Sequence, residues 1–199
     1  MFEQHGYGYS DSIQARYGEI NSQAWASYEN DEITVQELQT VRFSRLFDEL
    51  GIAHDADDFN TKYLHELGKG KFLVEGALEI CQEITACGKQ VYIITNGLAA
   101  TQEARAKHSP LHRYITGVFA SQTVGHQKPS NEYFRHVLAH IPANKDKMLI
   151  IGDSLAADIA GGNNAGIDTC WLNTHKVKNQ TGIEPIYEIT HLSQLSTFI

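Results

Sequence analysis

The sequence predicts an α/β fold, a parallel sheet with helices on both faces, from three observations. From about Phe72 onward, short apolar runs alternate with helical patterns, the texture of right-handed crossovers between parallel strands. The runs Gln90 to Thr95, with Val91 to Ile94 at its centre, and Ile150 to Gly152 are largely apolar, as strands buried on both faces are. The second run ends in Gly152-Asp153, a carboxylate at the strand tip where open α/β sheets build ligand sites.

The first third reads as helices. Phe43, Leu46, Phe47 and Leu50 recur at i, i+3, i+4 and i+7, and Phe59, Tyr63, Leu64 and Leu67 nearly repeat the pattern after an acidic start. Gly51 and Gly68 sit where each pattern stops. Met1-Phe2-Glu3-Gln4-His5 reads as if already inside a helix, without a cap. Ala77 to Cys87 is a helix closed by Gly88, and Gln90 to Thr95 is a buried strand. Further strands are expected near Gly117 to Ser121, Met148 to Gly152, Asp168 to Leu172 and Pro185 to Ile189. Between them the clearest helix carries Tyr133, Phe134, Val137, Leu138 and Ile141 behind a Ser130-Asn131 cap. There is no internal repeat and no low-complexity linker.

With 199 residues and 42% hydrophobic content, the chain can build one sizeable core, or a core with a small helical domain. A formal charge of −8 argues against nucleic acid as a partner, which needs a basic face. Lys69-Gly70-Lys71 and Lys176-Val177-Lys178 read as solvated loops. No run approaches the ~20 apolar residues of a membrane helix, and the start lacks the order of a secretory signal, so a cytoplasmic protein without a membrane partner is expected. Cys81, Cys87 and Cys170 form no Cys-x-x-Cys and read as reduced, mostly buried thiols. Of ten histidines, only His136 and His140 stand at a clear one-turn helical spacing, and two ligands do not close a zinc site.

Three segments at strand ends carry chemistry. Ile94-Thr95-Asn96-Gly97 offers a hydroxyl, an amide and flexible backbone where a helix begins, which suits a phosphate, although Asn-Gly is also a common turn. Gln127-Lys128-Pro129-Ser130 sets a lysine ahead of a proline-started helix. Asp153 and Asp158, about one helical turn apart, are like charges that call for a cation or lysine between them; alternatively Asp153 caps the next helix.

In order and spacing, this set resembles the haloacid dehalogenase-like hydrolase superfamily, whose second, third and fourth motifs are matched by Thr95, by Lys128 with Pro129, and by Asp153 with Asp158. The chain looks most like the pyrimidine 5′-nucleotidase branch, on Ile94 to Gly97, Val124-Gly125 before Lys128-Pro129, and Gly166 to Asn173. The resemblance implies a Rossmann-like core over residues 72–199 and a helical cap over 1–71. It implies a Mg²⁺-dependent phosphatase for a small phosphorylated substrate such as a nucleoside monophosphate. Thr95, with the Asn96 and Gly97 backbone, would bind the phosphoryl oxygens, and Lys128 would neutralise charge there. Asp153 would ligate Mg²⁺, and Asp158 would orient Lys128 or a metal-bound water. Trp25, Tyr28 and Arg42 could pair with a base and sugar, or could equally be core and surface residues.

The family's first motif, Asp-x-Asp-x-Thr at the end of a central strand, supplies the nucleophile, and none is found here. The one Asp-x-Asp, Asp55-Ala56-Asp57, opens an amphipathic helix, where acidic residues need no catalytic explanation. Without that strand, the strands ending in Thr95 and Asp153 would each present an unpaired edge, which gives a reason for self-association. Three accounts are open: a start placed at an internal methionine, with roughly 25 residues ahead of it; a catalytically dead module that binds phosphate or a partner; or a strand donated by another chain.

Overall fold

The computed structural model describes residues 7–8, 10–30 and 32–198. The expectation for Met1 to His5 lies outside these residues. The chain forms two compact units, one through Leu67 and the other from Gly68.

The first unit is helical. Helix α1 (Asp11–Glu29) begins behind Ser10, whose Oγ accepts from the Ile13 N–H, and α2 (Val35–Leu50) begins in a reciprocal Thr34–Glu37 capping box. Helix α2 ends at Gly51, whose φ of 65° is the left-handed conformation that glycine tolerates. Helix α3 (Ala56–Gly68) starts behind Asp55, whose Oδ1 accepts from the N–H groups of Asp57 and Asp58. The periodic residues meet in one core of Ile20, Phe43, Leu46, Phe47 and Phe59, with the Phe43 and Phe59 rings 4.9 Å apart. Arg42 belongs to this interior at 5% exposure, its guanidinium donating to Asn21, Asn60 and the Leu38 carbonyl.

The second unit alternates strand and helix: α4 (Ala77–Ala86), β1 (Val91–Thr95), α5 (Ala99–His108), β2 (Ile115–Ala120), α6 (Ser121–Val124), α7 (Asn131–His140), β3 (Leu149–Gly152), α8 (Ala160–Ala165), β4 (Asp168–Leu172) and β5 (Tyr187–Ile189). All strand pairs are parallel. Successive residues of β3 face opposite sides. Ile150 packs with Tyr133, Phe134 and Val137 of α7, whereas Leu149 packs with Ile80 of α4 and with Cys170, Ile189 and Leu195. Helices therefore cover both faces. Cys81 and Cys170 are buried free thiols, and Cys87 is exposed.

Among the described residues the strands form two sheets, β1–β2 and β3–β4–β5, with no ladder between β1 and β3. Both border strands differ from the fully buried strand that the sequence predicts. Every residue of β1 is half-buried, and Ile151 on β3 is 36% exposed. Interior strands of a parallel sheet are covered on both faces and paired on both edges. The exposure here falls on β1 and β3, which, among the described residues, no ladder joins across the seam between them.

Candidate active site

The seam ends at a polar cluster built from the tips of β1 and β3. Thr95 is the last residue of β1; its backbone N–H donates to the Tyr133 hydroxyl at 3.1 Å, and its Oγ1 accepts from the Gly97 N–H at 3.0 Å. Because Oγ1 accepts there, its hydroxyl hydrogen can be given elsewhere. Tyr133 is fully buried and donates its own hydroxyl to the Phe119 carbonyl at 2.6 Å, spanning the tips of β1 and β2. Burial is the main reason that its phenol is pushed well above the ordinary tyrosine range, so it stays protonated as that donor.

Asn96 follows, buried at 7% exposure. Its carboxamide faces the backbone of Lys128: Oδ1 accepts from the Lys128 N–H at 2.8 Å, and Nδ2 donates to the Lys128 carbonyl at 3.0 Å. The Lys128–Pro129 peptide is cis, and Ser130 caps α7. Lys128 Nζ donates to Asp158 Oδ1 at 2.5 Å and to the Ile94 carbonyl at 3.1 Å. It thereby ties β1 to the turn after β3. Both side chains of the ion pair are 9% exposed. So buried a pair holds only when further hydrogen bonds offset the lost hydration. The Ile94 carbonyl serves the ammonium in this way, and the Ser154 N–H serves Asp158 Oδ2 at 3.2 Å.

Asp158 does not lie on a regular helix one turn after Asp153, as its spacing suggests. Residues Leu155–Ile159 form a wide turn in which the Ile159 N–H reaches the Ser154 carbonyl, five residues back, before α8 begins. Such turns recur at functional sites. Gly152 makes room for it, because a Cβ there would fall on the Asp158 carboxylate. Asp153 is exposed at the tip of β3, and its carbonyl accepts from the Trp171 indole at 2.9 Å.

Thr95, Asn96, Gly97, Lys128 and Asp158 are thus joined by hydrogen bonds, with Asp153 at the adjoining strand tip. Sequence reasoning missed Tyr133 and Trp171 as members of this frame. The available signal was that a tyrosine hydroxyl or indole N–H within an apolar stretch needs a partner. Asp55 and Asp57 lie in the other unit, where Asp55 caps α3. His136 and His140 stack on each other at 4.3 Å, and among the described residues no group of three or more His, Cys, Asp or Glu is placed to hold a metal. With Asp158 turned to Lys128, Asp153 is left as one exposed carboxylate. A single hard oxygen ligand suits Mg²⁺, which keeps several waters, better than zinc.

Residues 11–172 match the family profile described as haloacid dehalogenase-like hydrolase. The HAD-hydrolase YfnB of Bacillus subtilis is 37% identical over 98% of this chain and 83% of its own length. Its magnesium-bound crystal structure superposes with a TM-score of 0.92, covering 99% of this chain and 86% of that one. Pyrimidine 5′-nucleotidase PynA of Streptococcus pneumoniae is 35% identical over 95% of this chain and 80% of its own length. Pyrimidine 5′-nucleotidase YjjG of Escherichia coli is 30% identical over 92% of this chain and 80% of its own length. The chain belongs to the haloacid dehalogenase-like hydrolase family.

Proposed function

We propose that the cluster at the tips of β1 and β3 is the phosphate site of a Mg²⁺-dependent phosphatase for nucleoside 5′-monophosphates, with residues 72–199 as its core and 1–71 as its cap. The observation that carries this reading is Lys128. Its ammonium is fixed by Asp158 and the Ile94 carbonyl, which uses two of its three N–H groups and leaves the third for an anion. The Thr95 hydroxyl, against which the Gly97 N–H is turned, and the Asn96 N–H supply further donors to phosphoryl oxygens. Such preorganised donors are most of what phosphoryl transfer asks of a protein. Asp153 would hold Mg²⁺, which when bound neutralises phosphoryl charge. The two relatives named as pyrimidine 5′-nucleotidases support the nucleotide over another small phosphate ester.

The attacking carboxylate belongs, in this reading, to a strand between β1 and β3. The half-buried residues of β1 and the exposure of Ile151 support a place for it there. A second reading, a module that binds phosphate without cleaving it, is favoured by the use of Asp55 as a helix cap. Phosphate release from UMP with Mg²⁺, measured on a protein that carries a strand between β1 and β3, separates the two. Turnover abolished by Asp153→Asn, with the fold retained, supports the phosphatase, and full turnover in that variant removes Asp153 from the mechanism. UMP binding without release supports the binding module.

A further inference from the structure

We infer that Trp171 is a positioning residue for Asp153, an inference that rests on the metal role proposed above. Trp171 lies on β4 opposite Gly152 in the ladder and is 4% exposed. Its indole N–H, which needs an acceptor once buried, donates to the Asp153 carbonyl at 2.9 Å. The other polar end of the same peptide unit, the Ser154 N–H, donates to Asp158 Oδ2. The peptide plane between Asp153 and Ser154 is therefore held at both ends, by an indole on β4 and by the carboxylate already paired with Lys128.

This matters because β3 ends at Gly152, so no ladder holds the next residue. Once the plane that follows the Asp153 Cα cannot rotate, the direction of its exposed carboxylate is restricted to the side-chain rotamers alone. Groups that orient a ligand residue typically change metal affinity 10- to 100-fold when removed. Trp171 reaches Asp153 through the main chain rather than the carboxylate, so its loss should weaken Mg²⁺ without removing a ligand.

The chain contains two tryptophans, Trp25 and Trp171, which gives the test a spectroscopic readout. In the Trp25→Phe protein, titration with MgCl₂ is expected to shift the Trp171 emission along a saturable curve, and adding Asp153→Asn is expected to abolish the shift. By calorimetry, Trp171→Phe, which keeps an aromatic ring but no N–H, is expected to weaken Mg²⁺ about tenfold. Its near-ultraviolet and far-ultraviolet spectra should report a folded chain. Should Trp171→Phe bind Mg²⁺ as the natural chain does, or the Trp171 emission stay flat while calorimetry detects binding, the inference is overturned and the metal reading survives. Absence of Mg²⁺ binding to the natural chain would overturn both.

Discussion

The carboxamide of Asn96 grips the backbone of Lys128 through both of its polar atoms, at 2.8 and 3.0 Å. The tip of β1 and the loop ahead of α7, far apart in the sequence, are thereby set at one spacing, and that spacing fixes where the Thr95 hydroxyl and the Lys128 ammonium stand relative to each other. Replacing Asn96 by Ala would orphan a backbone N–H and a backbone carbonyl in a buried position. The expected cost is about 1–3 kcal/mol for each orphaned group. Urea denaturation checks this, and a loss below about 0.5 kcal/mol would mean that water replaces the carboxamide.

The Lys128–Asp158 pair makes a second prediction. Lys128→Met and Asp158→Asn should each destabilise the fold by about 3–5 kcal/mol, because either leaves an uncompensated buried charge or its polar partners. The double variant Lys128→Met with Asp158→Leu should recover much of that loss while removing phosphate binding. A double-mutant cycle in urea, read beside calorimetric titration with inorganic phosphate, separates the structural role from the binding role. Strictly additive losses would show the two groups to be uncoupled.

Glycine substitutions test the wide turn. Gly152→Ala would drive a Cβ into the Asp158 carboxylate and should displace the ion pair, lowering both thermal stability and phosphate affinity. Gly18→Ala, in α1 with open space around it, should stabilise by about 0.5–1 kcal/mol through helix propensity. Thermal melts of the two variants are expected to move in opposite directions.

Burial pushes the Cys170 thiol up to about 11 and raises that of Cys81, whereas Cys87 is exposed. A raised acid stays protonated when folded, so its contribution to stability is complete below the unfolded thiol pKa of about 8.5 and is lost as pH rises toward 11. At pH 8 a thiol reagent should therefore modify one cysteine of three in the native chain, and all three in denaturant. Rapid native labelling of all three would contradict the burial of Cys81 and Cys170.

Much of this arrangement was legible in the sequence. The apolar runs ending at Thr95 and Gly152 located two strands whose tips carry the cluster, and the periodic Phe43, Leu46, Phe47 and Phe59 are the core of the helical unit. The places of Thr95, Lys128 and Asp153 were readable because Thr95 closes a strand, Lys128 stands just ahead of a capped helix and Asp153 follows a strand. The second role of Asn96 was not, because an Asn-Gly after a strand has the same local signature whether it turns the chain or clasps another segment. Nor could the sequence show that Asp158 sits in a wide turn, since helix and turn share their residue preferences over so short a span. Tyr133 and Trp171 looked like core residues, and they are; their polar atoms find partners only through tertiary contacts.

The central claim is that Thr95, Lys128 and Asp153 form one Mg²⁺-assisted phosphate site. Calorimetric titration of the chain with UMP, with and without MgCl₂, tests it most directly beside Lys128→Met. The account predicts saturable binding that Mg²⁺ strengthens and that Lys128→Met weakens at least about tenfold, roughly 1.4 kcal/mol. Equal affinity in the Lys128→Met protein, or no binding to the natural chain at millimolar UMP, would contradict it.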